Sequence, residues 1–275
     1  MNIIVNGESI DFTLENEKTV GEIIDALGAW LTQAELLTVA LHIDGEPPTG
    51  DEWKQQLIES VGTIEIHAAE LREALIIYID QAKGNIEVFK EILQDADSDT
   101  LKMIIDEYRE FCENIPLLTG YSFQSAVLMD EDFNKAKIGL LDNEINQLVN
   151  LLEFRYDELV HPERNAEQIA QSLVELAGEL DETAILLQTG KDAQAMKAVF
   201  RLTELLQRFM RCIVWLKDYN KNDDFNDKIH ELLIELEDAL KANDTVLVGD
   251  LLEYEIKPVL IMLPEKIKSY GDERR

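Results

Sequence analysis

The residues with chemistry to offer are few. Four histidines occur, His42, His67, His161 and His230; none stands in a His-Glu-x-x-His pattern, and no Cys-x-x-Cys occurs, so the spacings that hold zinc are missing. Glu158-x-x-His161 does carry the spacing of a di-iron bundle ligand pair, because residues i and i+3 project from one helix face. Such a centre needs a second copy and two further glutamates. The nearest partner, Asp227-x-x-His230, is a poorer variant, and Pro162 puts His161 at a frayed helix end, so ordinary surface residues are expected there. Asp95-x-Asp97-x-Asp99, with Asp106 in the twelfth position, imitates a calcium loop. Thr100 stands where that loop requires glycine, and Asp97 or Ser98 as a helix N-cap accounts for the pattern more simply.

Other reaction signatures are also missing. Thr189-Gly190-Lys191 lacks the strand and the second glycine of a phosphate loop, and Lys191 opens a helix instead. No nucleophile elbow is present. Paired carboxylates are so abundant in this chain that their pairing says nothing about acid and base catalysis. No metal and no cofactor is expected, and the chain reads as one that binds rather than catalyses.

Candidate binding residues fall in two places. At about 100° per residue, Lys197, Arg201, Arg208 and Arg211 share a sector of roughly 80°, opposite Val199, Leu202, Leu206, Met210 and Ile213. This basic stripe either pairs with the protein's own carboxylates or docks an acidic partner segment. The second place is Asn114 to Asp132, where Pro116 and Gly120 predict a loop that nevertheless carries Leu117, Tyr121 and Phe123. Those apolar residues either plug a groove between helical layers or form an exposed partner site. The last predicted helix, Val246 to Leu263, is more apolar than a single stripe needs and should kink at Pro258; it lies in the bundle centre or serves a homo-oligomer.

The elements that position these residues divide into an N-terminal β-rich segment and a long helical one. Asn2 to Val5 and Ser9 to Leu14 flank the hairpin signal Asn6-Gly7. Thr19 with Glu22 forms a capping box before Val20, Ile23, Ile24 and Leu27 at helical spacing. Val39 to Glu46 predicts a third strand, Glu52 to Ile58 a short helix, and Thr63 to His67 a last strand. That order, ββαβ(α)β, predicts a β-grasp.

The opening Ile-Val-Asn-Gly-Glu hairpin, Lys18-Thr19-Val20-Gly21-Glu22-Ile23-Ile24, the Val-Ala-Leu-His-Ile-Asp-Gly-Glu strand, Trp53 and the closing Thr63-Ile64-Glu65-Ile66 resemble the ubiquitin-like thiamine and molybdopterin sulfur-carrier proteins. The resemblance covers about a quarter of the chain and implies the β-grasp fold. Those carriers act through a terminal Gly-Gly. This chain has Ala68-Ala69-Glu70-Leu71 there and continues, so the resemblance implies a docking module rather than a carrier.

From Ala68 onward the apolar period is that of helices, predicted near 68–95, 98–114, 131–160, 165–188, 191–219, 225–242 and 245–264, joined by short polar turns as in antiparallel hairpins. The expected fold class is α+β: a β-grasp domain over 1–67, then a larger all-α antiparallel bundle over 68–264, with subdivision candidates near 115–132 and 161–165, and a polar tail over 265–275. Of 275 residues 46 % are hydrophobic, enough for real cores. The net charge of −31 disfavours nucleic acid and anionic membranes as partners. Cys112 and Cys212 fall inside helical patterns and fit a reducing cytoplasm. The expected function is a non-catalytic cytoplasmic adaptor, chaperone-like or regulatory protein that binds other proteins. The alternative is an accessory protein of sulfur or cofactor metabolism that docks through its β-grasp.

Overall fold

The computed structural model describes residues 1–13, 16–95, 97–120, 138–217, 219 and 224–271. They form two compact units, Met1–Tyr156 and Asp157–Arg275.

In the first unit the hairpin signal is realised. Strands β1 (Asn2–Val5) and β2 (Glu8–Ile10) pair antiparallel around Asn6 and Gly7, whose φ values of 50° and 80° match what a two-residue hairpin turn requires. Asn6 also extends the sheet: its amide donates to the Ala68 carbonyl at 2.9 Å while its Oδ1 accepts from the Ala68 N–H at 2.8 Å. Helix α1 (Val20–Gln33) starts at the expected capping box. The Glu22 carboxylate accepts from the Lys18 and Thr19 N–H groups, and these bonds hold it below the usual carboxylate range. Val20, Ile23, Leu27 and Leu31 are buried against Ile3, Val5, Ile64 and Ile66.

Strands β3 (Leu36–Ile43) and β4 (Thr63–Glu70) complete a sheet of order β2-β1-β4-β3 with β1 and β4 parallel at its centre, which is the β-grasp arrangement. Two short 3-10 turns, Glu52–Gln55 and Ile58–Ser60, replace the single helix predicted there. β4 does not end at His67. Ala68 and Ala69 are buried and Leu36 pairs with Glu70, so three residues expected to start the next helix remain strand. Helix α2 (Leu71–Asp95) follows at once and lies along the β3 edge. The Tyr78 hydroxyl donates to the Thr38 carbonyl and the Gln81 amide to that of Val39, which blocks the edge against further strand pairing.

Helix α3 (Ser98–Thr119) is N-capped by Asp97, whose side chain accepts from Thr100 N–H at 2.8 Å. It runs through Pro116, where a loop was expected, and stops only at Gly120 with φ 73°. Proline removes a single ladder bond, and the burial of Ile115 and Thr119 in this turn accompanies its retention. Helix α4 (Ile138–Val160) is tied to α2 by Lys90, which donates to Asn146 Oδ1 at 2.7 Å, and by Lys83, which lies 5.4 Å from the Tyr156 ring centroid.

The second unit begins with the last turn of α4 and holds α5 (Pro162–Ala177), α6 (Leu180–Gln188), α7 (Asp192–Ile213), α8 (Asp224–Lys241), α9 (Thr245–Asp250) and α10 (Lys257–Gly271). The single helix predicted over 165–188 is two, parted at Gly178 and Glu179. Leu173, Leu176, Leu202, Phe209, Leu252 and Leu260 are fully buried in one core. The final helix also differs from expectation. A π-helical stretch, Leu251–Ile256, precedes Pro258, and Lys257 N–H reaches back to the Leu252 carbonyl. Proline cannot supply the next ladder donor, and the wider turn lies just before it in place of a sharp kink. The chain then stays helical through Pro264 to Gly271. Ile267 and Tyr270 join the core, so 265–271 are not a polar tail.

Candidate binding groove

Helix α8 carries a stripe of carboxylates. Asp224, Asp227, Glu231 and Glu235 follow i, i+3, i+7 and i+11 spacing, which places them along one exposed face, while Ile229, Leu232, Leu236 and Ala239 face the core. On the facing element, α9 and its π-helical continuation present Leu247, Asp250, Leu251, Tyr254 and Glu255. Between the two lies a groove of about 720 Å³. Its floor is Leu232 and Leu251, both almost fully buried; its rim includes Leu247 and Tyr254, 45 % and 63 % exposed. Six carboxylates line the groove against one cation, Lys228.

None of those six, Asp224, Asp227, Glu231, Glu235, Asp250 and Glu255, has an ion-pair partner among the described residues. Nor do three His, Cys, Asp or Glu side chains anywhere in the described residues converge as metal ligands would. The charges are strung along two walls. Glu253, beside Tyr254 in sequence, pushes the pKa of the Tyr254 hydroxyl up, so the rim aromatic stays neutral.

The basic stripe of α7 splits into two halves. The buried Glu158 carboxylate accepts from Arg208 Nε at 2.8 Å and lies 3.3 Å from Arg211 Nε, so these two arginines are committed within the fold. Lys197 and Arg201 are exposed, with Phe200 between them 66 % exposed. Glu158 of the Glu158-x-x-His161 pair thus faces guanidinium groups, while His161 is the exposed residue before α5. Leu117 stands on the last turn of α3, 78 % exposed, rather than in a loop. Tyr121 and Phe123 lie outside the described residues.

A second concavity, of about 270 Å³, opens between α2 and α3 and is lined by Ile86, Val88, Phe89, Ile92, Tyr108 and Phe111. Burial pushes the Cys112 thiol up to about 11, so it is protonated at neutral pH. No described helix is long and apolar enough to cross a membrane.

Sequence reasoning missed the α8 groove. Its acidic stripe is visible in the spacing but indistinguishable from the general acidity, and the facing wall depends on tertiary packing.

The fold and the groove define an α+β protein in which a β-grasp is followed by helical modules, the last of them presenting an acidic, apolar-floored cleft. Comparison places two known domain types on these parts. Residues 1–70 match the TP0873 N-terminal domain, a match that ends on the last residue of β4, and residues 165–266 match a domain of unknown function, DUF8042, from α5 into α10. No curated protein and no solved structure matches the chain.

Proposed function

We propose that this chain is a non-catalytic, protein-binding adaptor or regulatory protein of the cytoplasm. The observation that carries the reading is the α8 groove, where apolar side chains form a floor and rim and the carboxylates are spread along two walls rather than gathered around a reacting centre. Exposed apolar side chains such as Leu247 and Tyr254 set among polar and charged ones are common in protein interfaces. The α2–α3 concavity, with Val88 and Ile92 half exposed beside Phe89, gives the first unit a second apolar surface of the same kind. Cys112 and Cys212, both buried and neither in a disulfide, suit a reducing compartment.

The β-grasp contributes as a docking module in this reading. Ala68 to Glu70 are paired in the sheet and lead into α2, so the segment through which the carriers act is here part of the framework. The exposed Ile261 and Met262 on α10 support self-association as a secondary property. Light scattering after size exclusion tests it: a monomer at micromolar concentration would remove it.

Affinity purification of the full chain from its native host tests the main reading. The expected result is a co-purifying protein that, made separately, rebinds the purified chain with defined stoichiometry. Failure to recover any such protein, or turnover of a small-molecule substrate by the chain alone, would overturn it.

A further inference from the structure

We infer that the groove between α8 and the α9–π segment takes a basic amphipathic helix of a partner protein. This rests on the binding-protein reading and names its ligand. Length is the first argument: from Asp224 to Glu235 the acidic stripe spans about 16 Å at 1.5 Å per residue, and Leu247 to Glu255 on the other wall about 12 Å. An occupant of roughly three helical turns fills that span. Composition is the second. Leu232, Leu251, Leu247 and Tyr254 offer apolar contact along the floor and one rim, which suits a stripe of apolar residues at i, i+3 or i+4 and i+7.

Charge decides between occupants. Six carboxylates without ion-pair partners among the described residues flank that floor, so lysines and arginines on either side of the occupant's apolar stripe would each meet a carboxylate on a wall. A divalent cation needs ligands that converge, and these do not. An anionic nucleic acid or lipid would be repelled. Lys228, alone among the lining residues, gives the groove one repulsive point, which favours a gap or an acidic residue opposite it on the partner.

The test uses the full chain and a fluorescent 14-residue peptide of leucine and lysine patterned as an amphipathic helix, followed by anisotropy. Binding at micromolar concentration is expected. Asp227→Lys/Glu231→Lys/Asp250→Lys should weaken it at least tenfold, whereas Glu163→Lys/Glu167→Lys/Glu182→Lys, an equal charge change at exposed sites outside the groove, should leave it within twofold. Leu247→Ser/Tyr254→Ser keeps the charge and should still weaken binding about fivefold, which general attraction to an acidic protein would not do. Should the lysine triple fail to fold, Asp227→Asn/Glu231→Gln/Asp250→Asn replaces it, with a loss of at least threefold expected.

Equal weakening by the groove triple and the control triple would overturn the inference. So would displacement of the peptide by micromolar calcium, which would make this a cation site, or self-association of the chain abolished by the groove triple, which would make the occupant a second copy. A host partner retained by the groove triple also sinks it while leaving the binding-protein reading standing. Recovery of no partner at all sinks that reading, and the peptide comparison still decides the groove.

Discussion

The C-terminal unit uses its carboxylates in two opposite ways. At the end of α4, Asp157 and Glu158 are satisfied: Asp157 accepts from Arg164 and Asn165, and Glu158 engages Arg208 and Arg211. Across α8 and the π-helical stretch, six carboxylates line a groove without ion-pair partners among the described residues. Charges of the first kind fix helices to one another. Those of the second leave the fold with unspent electrostatic attraction, and the contrast separates a structural contact from a binding surface in a chain where acidity alone means little.

The contrast can be broken most forcefully at Glu158. Its side chain is 2 % exposed and those of Arg208 and Arg211 are 24 % and 16 % exposed, so its removal takes away a buried anion that two largely desolvated guanidinium groups share. Glu158→Ala should cost about 3 kcal/mol, the lower end of what breaking a buried pair costs. Urea unfolding followed by Trp215 fluorescence, with Trp30 and Trp53 replaced by Phe, would report the C-terminal unit alone. A loss under about 1 kcal/mol would reduce this contact to an ordinary surface pair.

How far such roles could be read in advance depended on whether they were local. The Asn6-Gly7 turn, the Thr19 and Glu22 capping box and the 3.6-residue period of α7 are written in neighbouring residues, and the structure follows them. The β-grasp order follows for the same reason. The failures share another cause. Pro116 predicts a loop and the apolar period of the last helix ends at 264, yet the helices run on through Pro116 and Pro264, each of which costs one ladder bond close to a deeply buried side chain, Ile115 and Ile267. Ala68 to Glu70 have no strand signal of their own and are held by pairing with Leu36 to Thr38. Glu158, which accepts from Arg208, lies fifty residues away from it, and the two walls of the groove meet only through packing. Spacing could present the basic stripe; it could not say which of its residues were already occupied.

A weaker effect is expected at Asp157, and pH reveals it. The Arg164 guanidinium, then the Asn165 amide, hold the Asp157 carboxyl below its ordinary value near 3.8. A depressed carboxyl contributes stability that is present above its unfolded-state value and is lost as pH falls through the folded one. Both side chains are about half exposed, so the pair contributes at most about 1 kcal/mol. The stability gap between wild type and Asp157→Asn should therefore be constant above about pH 5 and shrink below about pH 4. A gap that widens on acidification would reverse the assigned sign.

The smallest effect should carry the opposite sign. Glu231 and Glu235 are exposed, stand at i, i+4 spacing on α8 and repel each other, since like charges so placed destabilise a helix by about 0.2 to 0.5 kcal/mol. Glu231→Gln/Glu235→Gln should thus raise stability by up to about 0.5 kcal/mol at low salt. The gain should fade toward 1 M sodium chloride, where the screening length is about 3 Å. The same double variant should weaken the leucine and lysine peptide, so stability and binding would move in opposite directions. That divergence is what unpaired binding charges require and what Glu158 cannot produce. If the double variant instead lost more than about 1 kcal/mol, the α8 carboxylates would be holding the fold together, and the two regions would no longer differ in kind.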